Sequence, residues 1–244
     1  MEPTFCPPIL YYHRVSPDAD PRAGVTPEQF REQIRLLDRL GFTGIPLAEG
    51  LSLTPSEKKN GRTPIVITFD DGYLDNYTRA APILVEFGFR ATIYFVALKM
   101  GGRVDWTRDP VWNGHPLMDL SMARELVGKG FEAGSHTLTH PDLPELSASE
   151  ARKEIGESRL VLSDLLSSPV TTFCYPYGSF TGPHPSMVRE AGYTGARTVH
   201  RYRPFGRFDP FRLSCRPVSG RMGAARFLLT AAAYRLGLYG GDVP

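Results

Sequence analysis

Strand-like and helix-like segments alternate along almost the whole chain, and several strand-like runs end in a carboxylate or an imidazole. Apolar runs at 8–13, 64–69, 90–97, 130–134, 170–175 and 193–198 have the length of buried strands. Helix signals separate them. Thr26-Pro27-Glu28-Gln29 reads as an N-cap, a proline at the first helical position and a glutamine reaching back. Phe30, Ile34, Leu37 and Leu40 then mark one face, and Gly41 stops the helix. Helices are also expected over 75–87, 121–129, 147–166 and 185–191, with a last strand near 211–213 and a terminal helix over 223–237. Such alternation dictates parallel strands with covering helices. His13, Asp70, Asp71, His136 and Tyr177 fall at strand C-terminal ends. In a (β/α) barrel those ends gather around one mouth. Neither a Gly-rich dinucleotide fingerprint nor a phosphate loop favours an open sheet. The expected architecture is one α/β barrel domain over 1–244, with its core at about 7–220.

Composition narrows the function classes. A net charge of +2, with the basic residues scattered, gives no nucleic-acid footprint. Three widely spaced cysteines, Cys6, Cys174 and Cys215, argue against a disulfide framework and point to a reducing compartment. Residues 1–8 lack the pattern of a secretory signal, and no apolar run approaches the ~18 residues of a spanning helix. A cytoplasmic or inner-membrane-peripheral location is therefore expected. The apolar stretch 224–239, interrupted by Arg226 and Arg235, reads as a packing helix in preference to a membrane-surface one.

Two segments carry the chemistry: Thr68-Phe69-Asp70-Asp71-Gly72-Tyr73 and Ser135-His136-Thr137-Leu138-Thr139-His140. Adjacent carboxylates at a strand end point to opposite sides, so one can face a metal while the other turns to substrate. The i, i+4 spacing of His136 and His140 would place both rings on one side of a helical turn. Together they offer three ligands for a divalent cation and one spare carboxylate, the minimum for metal-assisted hydrolysis. The irregular segment 99–117 holds Trp106 and Trp112 and reads either as a substrate wall or as a plug on the side of the barrel.

The Thr-Phe-Asp-Asp-Gly and Ser-His-Thr-x-x-His motifs, in this order and separation, resemble the polysaccharide deacetylase family (carbohydrate esterase family 4, the NodB homology domain). Tyr175-Pro176-Tyr177-Gly178 is similar to that family's Pro-Tyr-Gly loop. The resemblance implies a distorted (β/α) barrel of about seven parallel strands. It makes Asp71, His136 and His140 the ligands of one divalent metal ion, zinc first, with cobalt or nickel as alternatives. It makes Asp70 the general base, and the Tyr177 N–H a donor to the oxyanion, with Tyr73 on the substrate side.

Two departures stand out. Cys174 occupies the position of the family's arginine, which holds the base; Arg216 is the substitute expected from sequence. The family's C-terminal Leu-x-His is absent, since no histidine follows His200. Leu10-Tyr11-Tyr12-His13 instead resembles the subgroup, similar to poly-N-acetylglucosamine deacetylases, whose acid lies near the N-terminus. His13 is thus the expected general acid. His115, His184 and His200 are expected to be bystanders, and Cys174 to be hydrophobic fill. The implied substrate is an N-acetylated oligo- or polysaccharide, or a lipid-linked glycan precursor. The alternatives are an O-acetyl sugar esterase, an inactive carbohydrate-binding domain, and a glycosidase using Asp70 and Asp71. The last fits poorly, because such pairs stand ~5–10 Å apart across a bond.

Overall fold

The computed structural model describes residues 3–199 and 208–236. The chain begins with β1 (Ile9–Tyr12) and a small parallel pair, β2 (Arg14–Val15) and β3 (Gly24–Val25). Helix α1 (Pro27–Arg39) follows with the expected capping box: Thr26 accepts from the Gln29 N–H, and the Gln29 side chain accepts from the Thr26 N–H. Then come β4 (Phe42–Ile45), α2 (Leu47–Leu51), β5 (Thr63–Phe69), α3 (Ala81–Glu86) and β6 (Thr92–Phe95). The second half runs α4 (Leu120–Gly128), β7 (Glu132–Ser135), α5 (Ala148–Leu166), β8 (Thr172–Cys174), α6 (His184–Glu190), β9 (Gly195–Arg197), β10 (Arg216–Pro217) and α7 (Ala224–Arg235).

Seven parallel strands curl into a half-barrel in the order β10-β1-β5-β6-β7-β8-β9, with β4 paired to the first half of β5. The gap between β9 and β1 is spanned by one split segment. Leu213 pairs with Arg197 of β9, and Arg216 and Pro217 pair with Leu10 and Tyr11 of β1. The strand expected at 211–213 is therefore shorter and displaced, because one segment serves two neighbours in turn. Strand β4 was not expected, since Phe42-Thr43-Gly44-Ile45 directly follows a helix stop and carries no alternation.

The side-chain alternation of the strands decides what faces the barrel axis. Leu10, Tyr12, Ile65, Ile67, Phe69, Ile93, Phe95, Phe173 and Tyr175 point outward into the main core under the helices. Ile9, Tyr11, Val66, Tyr94 and Cys174 point inward and form a separate cluster with Leu213 and Cys215. Gly134 on β7 makes room for the Tyr94 ring: a Cβ there would lie 2.4 Å from it. Carried one step past each strand end, the inward parity selects His13, Asp70 and His136, and on β9 it selects Arg197.

The helix expected over 75–87 is interrupted. Asn76–Ala80 forms a π-turn, and α3 starts only at Ala81. Such wide turns concentrate at functional sites. Here Asn76 is buried and its Nδ2 donates to the His13 carbonyl at 2.7 Å, tying this turn to the end of β1.

Candidate active site

Asp70 and Asp71 leave β5 with different surroundings. Asp70 is 1% exposed and faces the barrel axis. Its Oδ1 is paired with the Arg197 guanidinium, its Oδ2 lies 3.8 Å from His13 Nε2, and the Cys174 thiol is 3.9 Å away. Asp71 adopts φ 69° and turns the other way. Its Oδ1 lies 3.5 Å from His136 Nε2 and 3.4 Å from His140 Nε2. The two imidazole centroids are 4.7 Å apart.

The histidine pair is not on a helical turn, as the spacing had implied. Residues 136–140 form an irregular loop with Thr137 and His140 at φ 69° and 67°. Side chains impose this shape: Thr137 Oγ1 accepts from the His140 N–H at 3.0 Å. Glu154 of α5 accepts from the N–H groups of Leu138 and Thr139 and from the Thr139 hydroxyl. Glu154 was not singled out in the sequence, because a glutamate in an amphipathic helix reads as solvated surface. Of the six described non-glycine residues with positive φ, four are Asp71, Thr137, His140 and Tyr177. Strain of this kind, of order 1–3 kcal/mol each, persists where surrounding contacts over-determine it.

The donor chemistry fits a divalent cation. His136 Nδ1 lies 2.7 Å from the Cys174 carbonyl, which can only accept. The proton is therefore on Nδ1, and the Nε2 lone pair faces Asp71. The Asp71, His136 and His140 donor atoms all lie within 4.8 Å of one another, all three residues are buried, and Asp71 Oδ1 has no hydrogen-bond partner among the described residues. Burial holds His136 down at about 4 and His140 well below the usual histidine range. Burial also pushes the Asp71 carboxyl up to about 7. A carboxylate beside two neutral imidazoles needs a positive charge that no neighbouring side chain among the described residues supplies, and a borderline divalent ion suits N₂O donors. A second grouping, Asp70, His136 and Cys174, also lies within 4.8 Å. It shares His136, and its thiol is held far above its usual range by burial, so the Asp71 set is the better cation cradle.

The arginine partner of Asp70 is Arg197, not the expected Arg216. Arg197 is 0% exposed and lies between the Tyr11 and Tyr94 rings, 4.9 Å from each centroid. Cys174 on the adjacent strand takes only a thiol's space, which leaves the axis open to a guanidinium from β9. Arg216 sits on β10, half-buried, with its Nη1 unpartnered among the described residues. The missed signal was legible: a lone charged residue inside the apolar strand run 193–198 must be paired if it faces inward.

Around the mouth, Tyr177 follows β8 in the Pro176–Gly178 turn at φ 56°, and its ring meets the edge of His140 at 4.7 Å. Gly178 has φ 69°, and a Cβ there would lie 2.3 Å from Val199. Tyr73 is buried beneath the 99–117 loop with Val104 and Leu117. Trp106 stacks on the His140 ring at 4.7 Å, and Trp112 meets His13 at 4.8 Å. The two indoles thus flank the mouth from opposite ends. His115 contacts Arg14 at 3.2 Å, His184 accepts from the Thr181 N–H at 2.8 Å, and His200 lies outside the described residues.

Fold and motif residues together define a class: an α/β half-barrel with a buried Asp-His cluster at the C-terminal mouth of its strands. The chain belongs to the polysaccharide deacetylase family, whose description matches residues 57–196. It is similar to the protein YxkH of Bacillus subtilis (strain 168), with 27% identity over 186 residues, 76% of this chain and 62% of YxkH. It is also similar to a chitin deacetylase of Pestalotiopsis sp, with 22% identity over 60% of this chain and 49% of that protein. The chain thus spans less than two thirds of these relatives. Among solved structures, IcaB from Ammonifex degensii shares the fold at TM-score 0.76 and 20% identity, over 94% of this chain and 97% of that one. The Streptococcus pyogenes deacetylase PplD, solved in complex with acetate, does so at TM-score 0.74 and 21% identity, over 93% and 99%.

Proposed function

We propose that this chain is a metal-dependent deacetylase that removes N-acetyl groups from an amino-sugar polymer or a glycan precursor, lipid-linked precursors included. The observation that carries this reading is the division of labour at the end of β5. Asp71 Oδ1 faces two imidazole Nε2 atoms at 3.4 and 3.5 Å, while Asp70 faces Arg197 and His13. Asp71, His136 and His140 would hold the cation. When bound, it lowers the pKa of water and polarises an acyl oxygen.

The remaining work falls to the chain's own side chains. Asp70 takes a proton from the water that attacks the acetamide carbonyl carbon, and the ion pair with Arg197 keeps that carboxylate oriented. As the C–O bond forms, negative charge gathers on the carbonyl oxygen, and the Tyr177 N–H donates to it. The C–N bond then breaks, and the nitrogen needs a proton to leave as an amine. His13 supplies it. Its imidazole is held down at about 3 by burial and by the charge of Arg197, so it is neutral at rest. The proton reaches it from Asp70, 3.8 Å away, and an imidazolium so destabilised is a strong acid. Acetate and the free amine are the products.

The test is acetate release from chitooligosaccharides, poly-N-acetylglucosamine oligomers and acetylated xylan, with Zn²⁺, Co²⁺ or Ni²⁺ added to stripped protein. Metal-restored release from the N-acetylated substrates supports the reading. Release from xylan alone would replace it with an O-acetyl esterase. Tight metal binding with no release from any of the three would leave a binding domain.

A further inference from the structure

Helix α7 has two apolar faces. Phe227, Thr230 and Ala231 are buried against the body of the protein. The opposite side is also apolar: Leu228, Leu229 and Leu236 are 42%, 63% and 73% exposed. With Ala225 and Ala232 they follow the i, i+3, i+4, i+7, i+11 spacing of one continuous stripe. At 100° per residue, Arg226 lies to one side of this stripe and Arg235 to the other. From Pro210 to Leu236 the chain carries five arginines and no acidic residue. Arg212 is paired with Asp209, Arg221 lies within reach of Asp20 and Arg216 is half-buried on β10, so the exposed Arg226 and Arg235 are the cations assigned to this surface, Arg235 with its Nε donating to the Leu40 carbonyl at 3.2 Å.

We propose that this face of α7 docks onto an anionic lipid surface, with the leucines entering the headgroup boundary and the two arginines at the phosphate level. Apolar side chains flanked by arginines are what an interfacial helix presents to such a membrane. Charge also decides against a second copy of this chain: two such faces brought together would oppose arginine to arginine with no acid between them. Size decides the same way. The stripe is ~17 Å long on a helix ~10 Å wide, so two copies meeting on it would bury on the order of 300–400 Å², well short of the ~1,200 Å² that a stable protein interface buries. No described helix is long and apolar enough to cross a membrane, so the contact is peripheral. The packing role expected of this stretch belongs to the buried face, and the proposed membrane contact uses the other. The inference is independent of the deacetylase reading.

The test is vesicle co-sedimentation of the whole purified chain, with phosphatidylglycerol-containing vesicles against pure phosphatidylcholine. The wild type is expected to pellet with the anionic vesicles at least ten-fold more strongly, and to be released by added salt. The double substitution Leu228→Glu/Leu229→Glu should abolish pelleting without moving the thermal midpoint. Arg226→Glu/Arg235→Glu should remove the preference for anionic lipid. Equal pelleting with both vesicle types, or a wild type that stays in the supernatant, overturns the proposal. So does light scattering that shows a dimer dissociated by the leucine substitutions, which would make a second copy the occupant.

Discussion

Arg197 and Asp70 form an ion pair fully closed to solvent, the guanidinium supplied by β9 and the carboxylate by the end of β5. The arginine enters between two tyrosine rings, and the Cys174 thiol of the neighbouring strand lies 3.9 Å from the same carboxylate. A buried pair of this kind is weak evidence for stability. Removing one member is costly, because the other is left charged and alone.

Arg197→Ala is therefore expected to cost about 3–5 kcal/mol of folding stability and to lower acetate release about 100-fold or more. Cys174→Arg in the same chain should recover much of both, because it brings a guanidinium to the same axis from β8. Urea midpoints and acetate release for the wild type, the single and the double variant check this. A double variant no better than Arg197→Ala would show that the strand of origin matters.

Removing the cation separates ligands from base. Metal content by mass spectrometry should be about one ion per wild-type chain. It should be near zero for Asp71→Ala or His136→Ala, and undiminished for Asp70→Asn, which should be inactive all the same. Loss of the ion in Asp70→Asn would place that carboxylate among the ligands.

The metal-free protein should lose stability on acidification. His13, His136 and His140 have folded pKa values below 6.5, so between about pH 4 and 6.5 the unfolded chain binds more protons at each. Asp71, raised to about 7, acts oppositely and gains stability as pH falls. Three groups against one leave the acid side less stable, by roughly 1.4 kcal/mol per pH unit for each uncompensated group. Asp71→Asn should steepen this slope and stabilise the metal-free protein above pH 7. A urea-midpoint series from pH 4 to 8 reads both effects.

His13→Gln should lower kcat about 100-fold or more with little change in KM if the ring delivers a proton. A substrate with a better leaving group than a sugar amine should lose much less. An equal loss on both substrates would assign His13 to binding.

Trp112→Ala should act mainly on KM, raising it about ten-fold for oligosaccharides and little for a monosaccharide, because the indole edges the mouth beside His13. Comparing chain lengths distinguishes this from a general loss of fold.

Sequence alone determined the repeating α/β order, the capping of α1, and the two motif segments. These are local: helix caps, strand runs and turn residues act within a few positions of themselves. Sequence also placed His13, Asp70, Asp71, His136 and Tyr177 at strand C-terminal ends, which a barrel gathers at one mouth. Tertiary structure alone decided the partners. Arg197 stood in plain view in a strand, but its selection over Arg216 depends on which strand ends face each other across the axis. The His136–His140 loop shows the same limit. Its four-residue spacing implied a helical turn, yet Glu154, from a helix begun eight residues later, and the Thr137 hydroxyl hold it in a left-handed shape instead. Residues close in sequence reveal their geometry through local sterics; residues brought together from β1, β5 and β9 meet only because the barrel curls them to one mouth.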